Sequence, residues 1–235
     1  RPQEMYWATA ESLAFKFSRS ADTFLGALGK RVPTFDWQNG RFLIQVGVDA
    51  GSWIQLTRDG LYFQLDSNDY LLGVPTVVRY GPWALEISVA HISAHLGDGA
   101  IEREMKERIK YTREFVSFRG AYDWRGSGET LARLYGGASY IFHLLPVDLG
   151  RFSASAGVEV VGTKVASFIR PVFAMEMSYN QDTRSYDLAG QLGFLFKAND
   201  FFDTRLVLDA YYGADRRGQF VGEREERIGL AWVLQ

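Results

Sequence analysis

The sequence predicts an all-β protein: a transmembrane, antiparallel up-and-down β-barrel of about ten strands, twelve if the N-terminal part adds two, with a filled lumen. Three observations predict it. Apolar residues recur at every second position from residue 41 onward, the period of strands whose side chains face opposite sides. The connections alternate between short and long along the chain. Aromatic residues reach 15% and glycines number 24, while charged residues still make up 23%. That mixture suits strands with one face on lipid and the other on a polar interior.

Residues 1–40 alternate poorly and are set apart from a barrel at 41–235. Within them, "ESLAFKFS" (11–18) reads as an extra strand, and "FLGALGKRVPTFDW" (24–37) as a plug, a periplasmic segment or a further strand. In 41–57, Phe42, Ile44, Val46, Val48, Ile54 and Leu56 alternate with Gln45, Gly47, Asp49 and Gln55. Strands follow near 68–80, 83–97, 110–124, 129–143, 151–162 and 165–179. The alternation is clear again in 184–197 (Leu188, Leu192, Phe194 against Asp187, Gln191, Gly193), in 201–212, and in 224–234. Most of these segments reach the roughly 9–11 residues that cross a bilayer at a tilt.

Short turns are expected at Gly81-Pro82, 125–128, 162–164 and 198–200, and longer connections at 58–67, 98–109, 144–150 and 213–223. Short turns on the periplasmic side and long loops outside are the layout of an outer-membrane barrel, with both termini periplasmic. The face opposite the apolar one carries both signs of charge, among them Glu86, Arg133, Glu159, Glu176, Asp187, Arg205 and Asp209. Such a set can pair internally and fill a small lumen, which argues against a general porin. A soluble barrel or sandwich would reverse the two faces. Strand length, aromatic density and the turn asymmetry favour the membrane.

Other classes are excluded by composition. A net charge of −2 offers no excess of cations to neutralise phosphates, so no nucleic-acid partner is expected. With no cysteine there is neither a disulfide nor a thiolate metal site. No phosphate-cradling loop or nucleotide fingerprint is present, and "GSGET" (126–130) reads as turn chemistry.

The candidate site lies in "EISVAHISAHLGDG" (86–99). His91, Ser93 and His95 continue the face of Trp83, Leu85, Ile87 and Val89, so they project outward toward lipid near the extracellular rim. Polar side chains on that face are costly and point to function. Pairing Trp83 with Trp124 on the next strand places Glu114 opposite Ser93, with Thr112 on the same face. Pairing through Gly81-Pro82 on the other side brings Tyr70 beside Ser93 and Asn68 beside His95. An acid, an imidazole and a hydroxyl are the orienter, base and nucleophile of acyl transfer. Catalysis by His91, Ser93 and Glu114 therefore stands beside two other readings: lipid head-group binding by Asn68, Tyr70, His95 and Thr112, and a metal held by His91, His95 and Asp98. His143 is expected in the lumen, and "IEREMKERIK" (101–110) as a short helical, solvated lid.

The stretch resembles two enzyme families. Outer-membrane phospholipase A and the lipid A 3-O-deacylase carry His-x-Ser on a lipid-facing strand, and His91-Ile92-Ser93 is similar. The resemblance implies histidine as base and serine as nucleophile. The phospholipase's asparagine-glycine is replaced by Ala94-His95, which weighs against a calcium-assisted oxyanion site, so no cofactor is expected and calcium stays the single candidate. More broadly, "HISAHLGDG" (91–99), "RLYGGASYIF" (133–142) and "RRGQFVGEREERIGLAW" (216–232) resemble a proteobacterial outer-membrane family of unknown function with the hallmark H-x-S-S-H-L-G-D-E. This chain departs from it at Ala94 and Gly99. The resemblances imply outer-membrane lipid or lipopolysaccharide as partner. A non-catalytic scaffold barrel holding envelope proteins is the alternative.

Overall fold

The computed structural model describes residues 13–18, 23–104, 109–126, 130–146, 149–181, 183–197 and 203–234. Twelve strands among them close into one antiparallel barrel in which sequence neighbours pair and the first strand meets the last. They are β1 (Leu13–Ser18), β2 (Thr23–Asn39), β3 (Phe42–Asp59), β4 (Tyr62–Tyr80), β5 (Trp83–Leu96) and β6 (Tyr111–Arg125). The second half comprises β7 (Leu131–Leu145), β8 (Phe152–Val161), β9 (Ile169–Asn180), β10 (Ser185–Lys197), β11 (Asp203–Ala214) and β12 (Arg224–Leu234). One short helix, α1 (Asp98–Glu104), follows β5.

The segment ahead of residue 41 thus supplies β1 and β2, and the barrel begins before the boundary drawn from the sequence. Poor alternation there has a local cause. Gly26 and Lys30 interrupt the apolar face, and the pairing of β2 with β3 shifts register between Pro33 and Phe35, so the exposed apolar residues pass from Leu28 and Val32 to Phe35 and Trp37. Proline lacks the amide a ladder needs, so it sits at such irregularities. Residues 1–12 and the turn read at 198–200 lie outside the described residues.

The connection read at 58–67 is instead the end of a hairpin. Asp59 pairs with Tyr62 around Gly60, which adopts φ +60° and so permits the tight turn. The strand read from 165 starts at Ile169, after a small bridge between Ala166 and Ile169.

The two faces have opposite polarity. Outside lie Leu85, Ile87, Val89, Leu188, Phe194, Leu206, Leu208, Ile228 and Leu230, all exposed, with Leu192 61% exposed. Inside are buried Glu86, Arg133, Glu159, Glu176, Asp187, Arg205 and Asp209. This inversion is what a barrel standing in lipid requires and what a water-soluble barrel forbids.

The lumen is filled in tiers. At the end where β8 and β10 finish and β9 and β11 begin, Ala27, Val161, Val172, Leu195, Val207, Ala231 and Val233 form an apolar cluster. Beyond it, ion pairs cross between strands. Arg133 contacts Asp123 through Nε at 2.6 Å and Nη2 at 3.0 Å, with Arg79 on the same carboxylate at 2.9 Å. Arg31 joins Asp49 and Glu86 at 2.7 Å each, and Arg205 meets Glu159 at 2.7 Å. At the opposite mouth the β11–β12 connection turns inward, with Gly218, Gln219 and Phe220 buried in one 3-10 turn. Phe220 packs there on Leu96 and Ala100.

Candidate functional site

β5 alternates without a break, from exposed Trp83 to exposed His91, half-buried Ser93 and exposed His95, with Ala84, Ala90, Ile92 and Ala94 facing in. Its neighbours then decide what meets these side chains. On β4, Tyr70 lies opposite Ser93 and Asn68 opposite His95, as the Gly81-Pro82 turn dictates. On β6 the register differs by two residues from the one read in the sequence: Trp83 pairs with Tyr122, His91 with Glu114, and Ser93 with Thr112. The rings of Trp83 and Tyr122 pack at 4.7 Å between centroids, in place of the pair expected between Trp83 and Trp124.

The shift strengthens the acid–base half of the cluster. Glu114 stands directly across from His91, with Oε1 at 3.4 Å from Nδ1. An imidazole held at Nδ1 presents Nε2 on its far side, the orientation a carboxylate imposes on a general base. Ser93 shares the face two residues on, about 7 Å away between Cα atoms by the rise of a strand. The Ser93 hydroxyl makes no side-chain hydrogen bond among the described residues. Tyr70 and His95 meet edge to face at 5.6 Å. Asn68 donates to the Tyr70 hydroxyl at 2.7 Å and accepts from Ser52 at 2.6 Å, while the Thr112 hydroxyl donates to the Ile92 carbonyl at 3.1 Å.

His143 overturns one expectation. It lies outside, half-exposed, with Nδ1 3.6 Å from Glu114 Oε2. The cause is a register shift between Glu114 and Phe115: His143 pairs with Glu114 but Ile141 with Phe115, so Phe142 is an extra residue. Phe142 and His143 are consecutively exposed, and every residue of β7 beyond the bulge changes face. The adjacent apolar pair Ile141-Phe142, which breaks the alternation, is the signal that could have disclosed it. As a result all three histidines of the chain stand on one outward patch, two of them bracketing a single carboxylate.

Among the described residues no group of three or more His, Cys, Asp or Glu side chains is gathered in a way that could hold a metal ion. Asp98 heads α1 and is not brought into a ligand set with His91 and His95. Gly97, between β5 and α1, is needed for close approach: its amide donates to the Asp66 carbonyl at 2.7 Å, and a Cβ would strike the Leu65 carbonyl. The charge-rich stretch 101–110 is helical to Glu104, as expected, with Ile101 half-buried and Glu102 exposed; 105–108 lie outside the described residues.

Sequence reasoning also missed the residues directly behind the patch. Gly218 donates its amide to Asp69 Oδ2 at 2.9 Å. Gln219 donates to the carbonyls of Ala94 at 2.7 Å and Ile109 at 2.9 Å, and accepts the Ile109 amide at 3.3 Å. Arg217 pairs with Asp215 in the same connection. Burial works against the Arg217 charge, but its hydrogen bonds and attraction to Asp215 outweigh that and hold its pKa above the usual guanidinium value.

Fold and site together define a closed β-barrel with an apolar exterior, a charged and filled interior, and a polar patch on its outward face. The chain belongs to the family described as "Protein of unknown function (DUF1207)", whose model matches residues 26–233. No curated protein matches it. Among solved structures, the crystal structure of the beta domain of the Bordetella autotransporter BrkA aligns with a TM-score of 0.49 at 12% identity, covering 94% of this chain and 96% of that one.

Proposed function

We propose that the protein is an integral outer-membrane barrel with both termini periplasmic, and that it hydrolyses acyl esters of outer-leaflet lipids at its outward patch. One observation carries the reading: Glu114 holds His91 from the neighbouring strand, beside Ser93, on the face that meets lipid. His91 takes the Ser93 proton, and Oγ adds to the ester carbonyl. Collapse of the adduct expels the alcohol, which leaves with that proton, and an acyl-serine remains. Water, deprotonated by the same imidazole, then releases the acid and restores Ser93. Glu114 orients the imidazolium and stabilises its charge. Asn68, Tyr70, His95 and Thr112 line the head-group side. Base–nucleophile contacts tighten in complexes, so an unbonded Ser93 is compatible with this role. Among the described residues no group of three or more His, Cys, Asp or Glu could hold a metal ion, and the proposed steps need none.

A scaffold role is the second reading, favoured by the tiered filling of the lumen and by Ala94 and Gly99 in place of the hallmark residues. Purified barrel presented with phospholipid or lipid A in mixed micelles separates the two. Acyl release should fall by about three orders of magnitude or more in Ser93→Ala and His91→Ala while the heat-modifiable band on gels is kept. Acyl profiles that mass spectrometry finds identical for wild type and both variants, at equal barrel abundance, would leave the scaffold reading.

A further inference from the structure

We propose that the β11–β12 connection is an internal brace for the outward patch, with Gln219 as its positioning residue. The proposal rests on the reading of that patch as a working site; the brace itself rests on geometry. In a strand, neighbours alternate between faces, so the residue between two outward site residues points into the barrel. Asp69 lies between Asn68 and Tyr70, and Ala94 between Ser93 and His95. These two inward positions, opposite each other in the β4–β5 ladder, are the ones the connection grips. Gly218 binds the Asp69 carboxylate, and Gln219 binds the Ala94 carbonyl.

Gln219 also ties in the far side. Its amide makes a two-way contact with Ile109, the residue just before Lys110 and β6, and β6 carries Glu114. One buried amide therefore links the strand of His91 and Ser93 to the entry of the strand of their acid. The grip leaves little slack: Gly218 sits so close to the Tyr111 ring that a Cβ there would collide with it. Tyr111 pairs with Ala94, so the fit falls on the same rung of the sheet. Elsewhere the lumen is held by direct ion pairs from strand to strand, such as Arg205 to Glu159 and Arg133 to Asp123. Here a loop reaches across the mouth to hold the one place where three site strands must stay aligned.

The three histidines supply the test, because the chain holds no others and all lie on the patch. The full chain, labelled with ¹⁵N-histidine and folded in detergent micelles, gives one set of signals per histidine. Gln219→Met keeps volume and removes all three hydrogen bonds; Val221→Ala, in the same connection, is the control. The brace predicts that the His91 and His95 signals move by more than a linewidth, His143 least, with the heat-modifiable band unchanged and the control silent. In the esterase assay kcat should fall about tenfold with KM nearly constant, the mark of misplacement rather than lost binding. Should Gln219→Met fail to fold, Gln219→Glu is read the same way, since it keeps the acceptor for the Ile109 amide and loses only the donors. Unmoved His91 and His95 signals in a folded variant overturn the brace, even if Ser93 proves to be a nucleophile. So does an equal movement of all three histidines. A selective shift upholds it, even if no variant cleaves any ester.

Discussion

The barrel has polar clusters on both faces of its wall, and they are built differently. Inside, Arg205 and Glu159 meet at 2.7 Å with both side chains under 10% exposed, and Arg133 grips Asp123 through two nitrogens. Outside, one carboxylate is shared by two imidazoles at 3.4 and 3.6 Å, with the three side chains 40–52% exposed, and a serine stands by without a side-chain partner. The interior groups meet across strands as close, buried pairs, so they hold strands together. The exterior groups keep capacity in hand, on the surface where a polar side chain is least at home. Close buried pairs inside and longer, exposed contacts outside are the contrast that separates structure from a candidate site.

The contrast breaks first if the interior pairs are not structural. Arg205→Ala leaves Glu159 charged and buried without its partner, which should cost about 3–5 kcal/mol, whereas the double change Arg205→Met with Glu159→Leu should recover most of it. Urea-induced unfolding of the barrel in lipid vesicles measures both. Equal losses for the single and double variants would show that the charges themselves are not what matters there.

Next comes the claim that the outer face stands in lipid. Leu192, in the middle of β10, is exposed, and Leu192→Arg should destabilise the barrel by about 2–4 kcal/mol in bilayers if that position lies near the midplane. In a water-soluble barrel the same change would fall within about 0.5 kcal/mol of neutral.

Much of this was legible in the sequence. The ten strands read from alternation overlap β3 to β12, several with ends within one or two residues, because an apolar outer face and a charged inner one impose period two along most of their length. β1 and β2 were not firm, since glycines, Lys30 and Pro33 blur the pattern there. The outward placement of His91, Ser93 and His95, and their pairing with Tyr70 and Asn68, followed from a tight turn that fixes register. The pairing of Glu114 did not. β5 and β6 are joined by a long connection, and a slip of two residues keeps every side chain on its face, so alternation is blind to it. Gln219 was invisible for a different reason: its partners are backbone groups that no side-chain pattern announces.

Within the exterior patch a smaller effect sharpens the assignment. Glu114→Gln keeps shape but removes the charge that would stabilise an imidazolium on His91, so esterase turnover should fall about tenfold to a hundredfold. Stability should change by less than about 0.5 kcal/mol, because exposed ion pairs contribute little. A large stability loss without a rate effect would move Glu114 into the same category as Asp123 and Glu159.

The smallest expected effect is also the most discriminating. His143 reaches the patch only through the bulge at Phe142, and it competes with His91 for the same carboxylate. It sits on β7, one strand beyond Glu114, whereas Ser93 lies on β5 beside His91. His143 is therefore too far across the sheet to take a proton from Ser93, and its removal frees Glu114 to engage His91 alone. His143→Ala should leave kcat/KM within about threefold of wild type, with any change upward, while His91→Ala removes nearly all of it. The two variants differ by one imidazole on either side of one carboxylate, so comparing them isolates position from chemistry. Equal collapse of both rates would make the pair a joint proton relay, and loss in His143→Ala alone would transfer the role of base from β5 to β7.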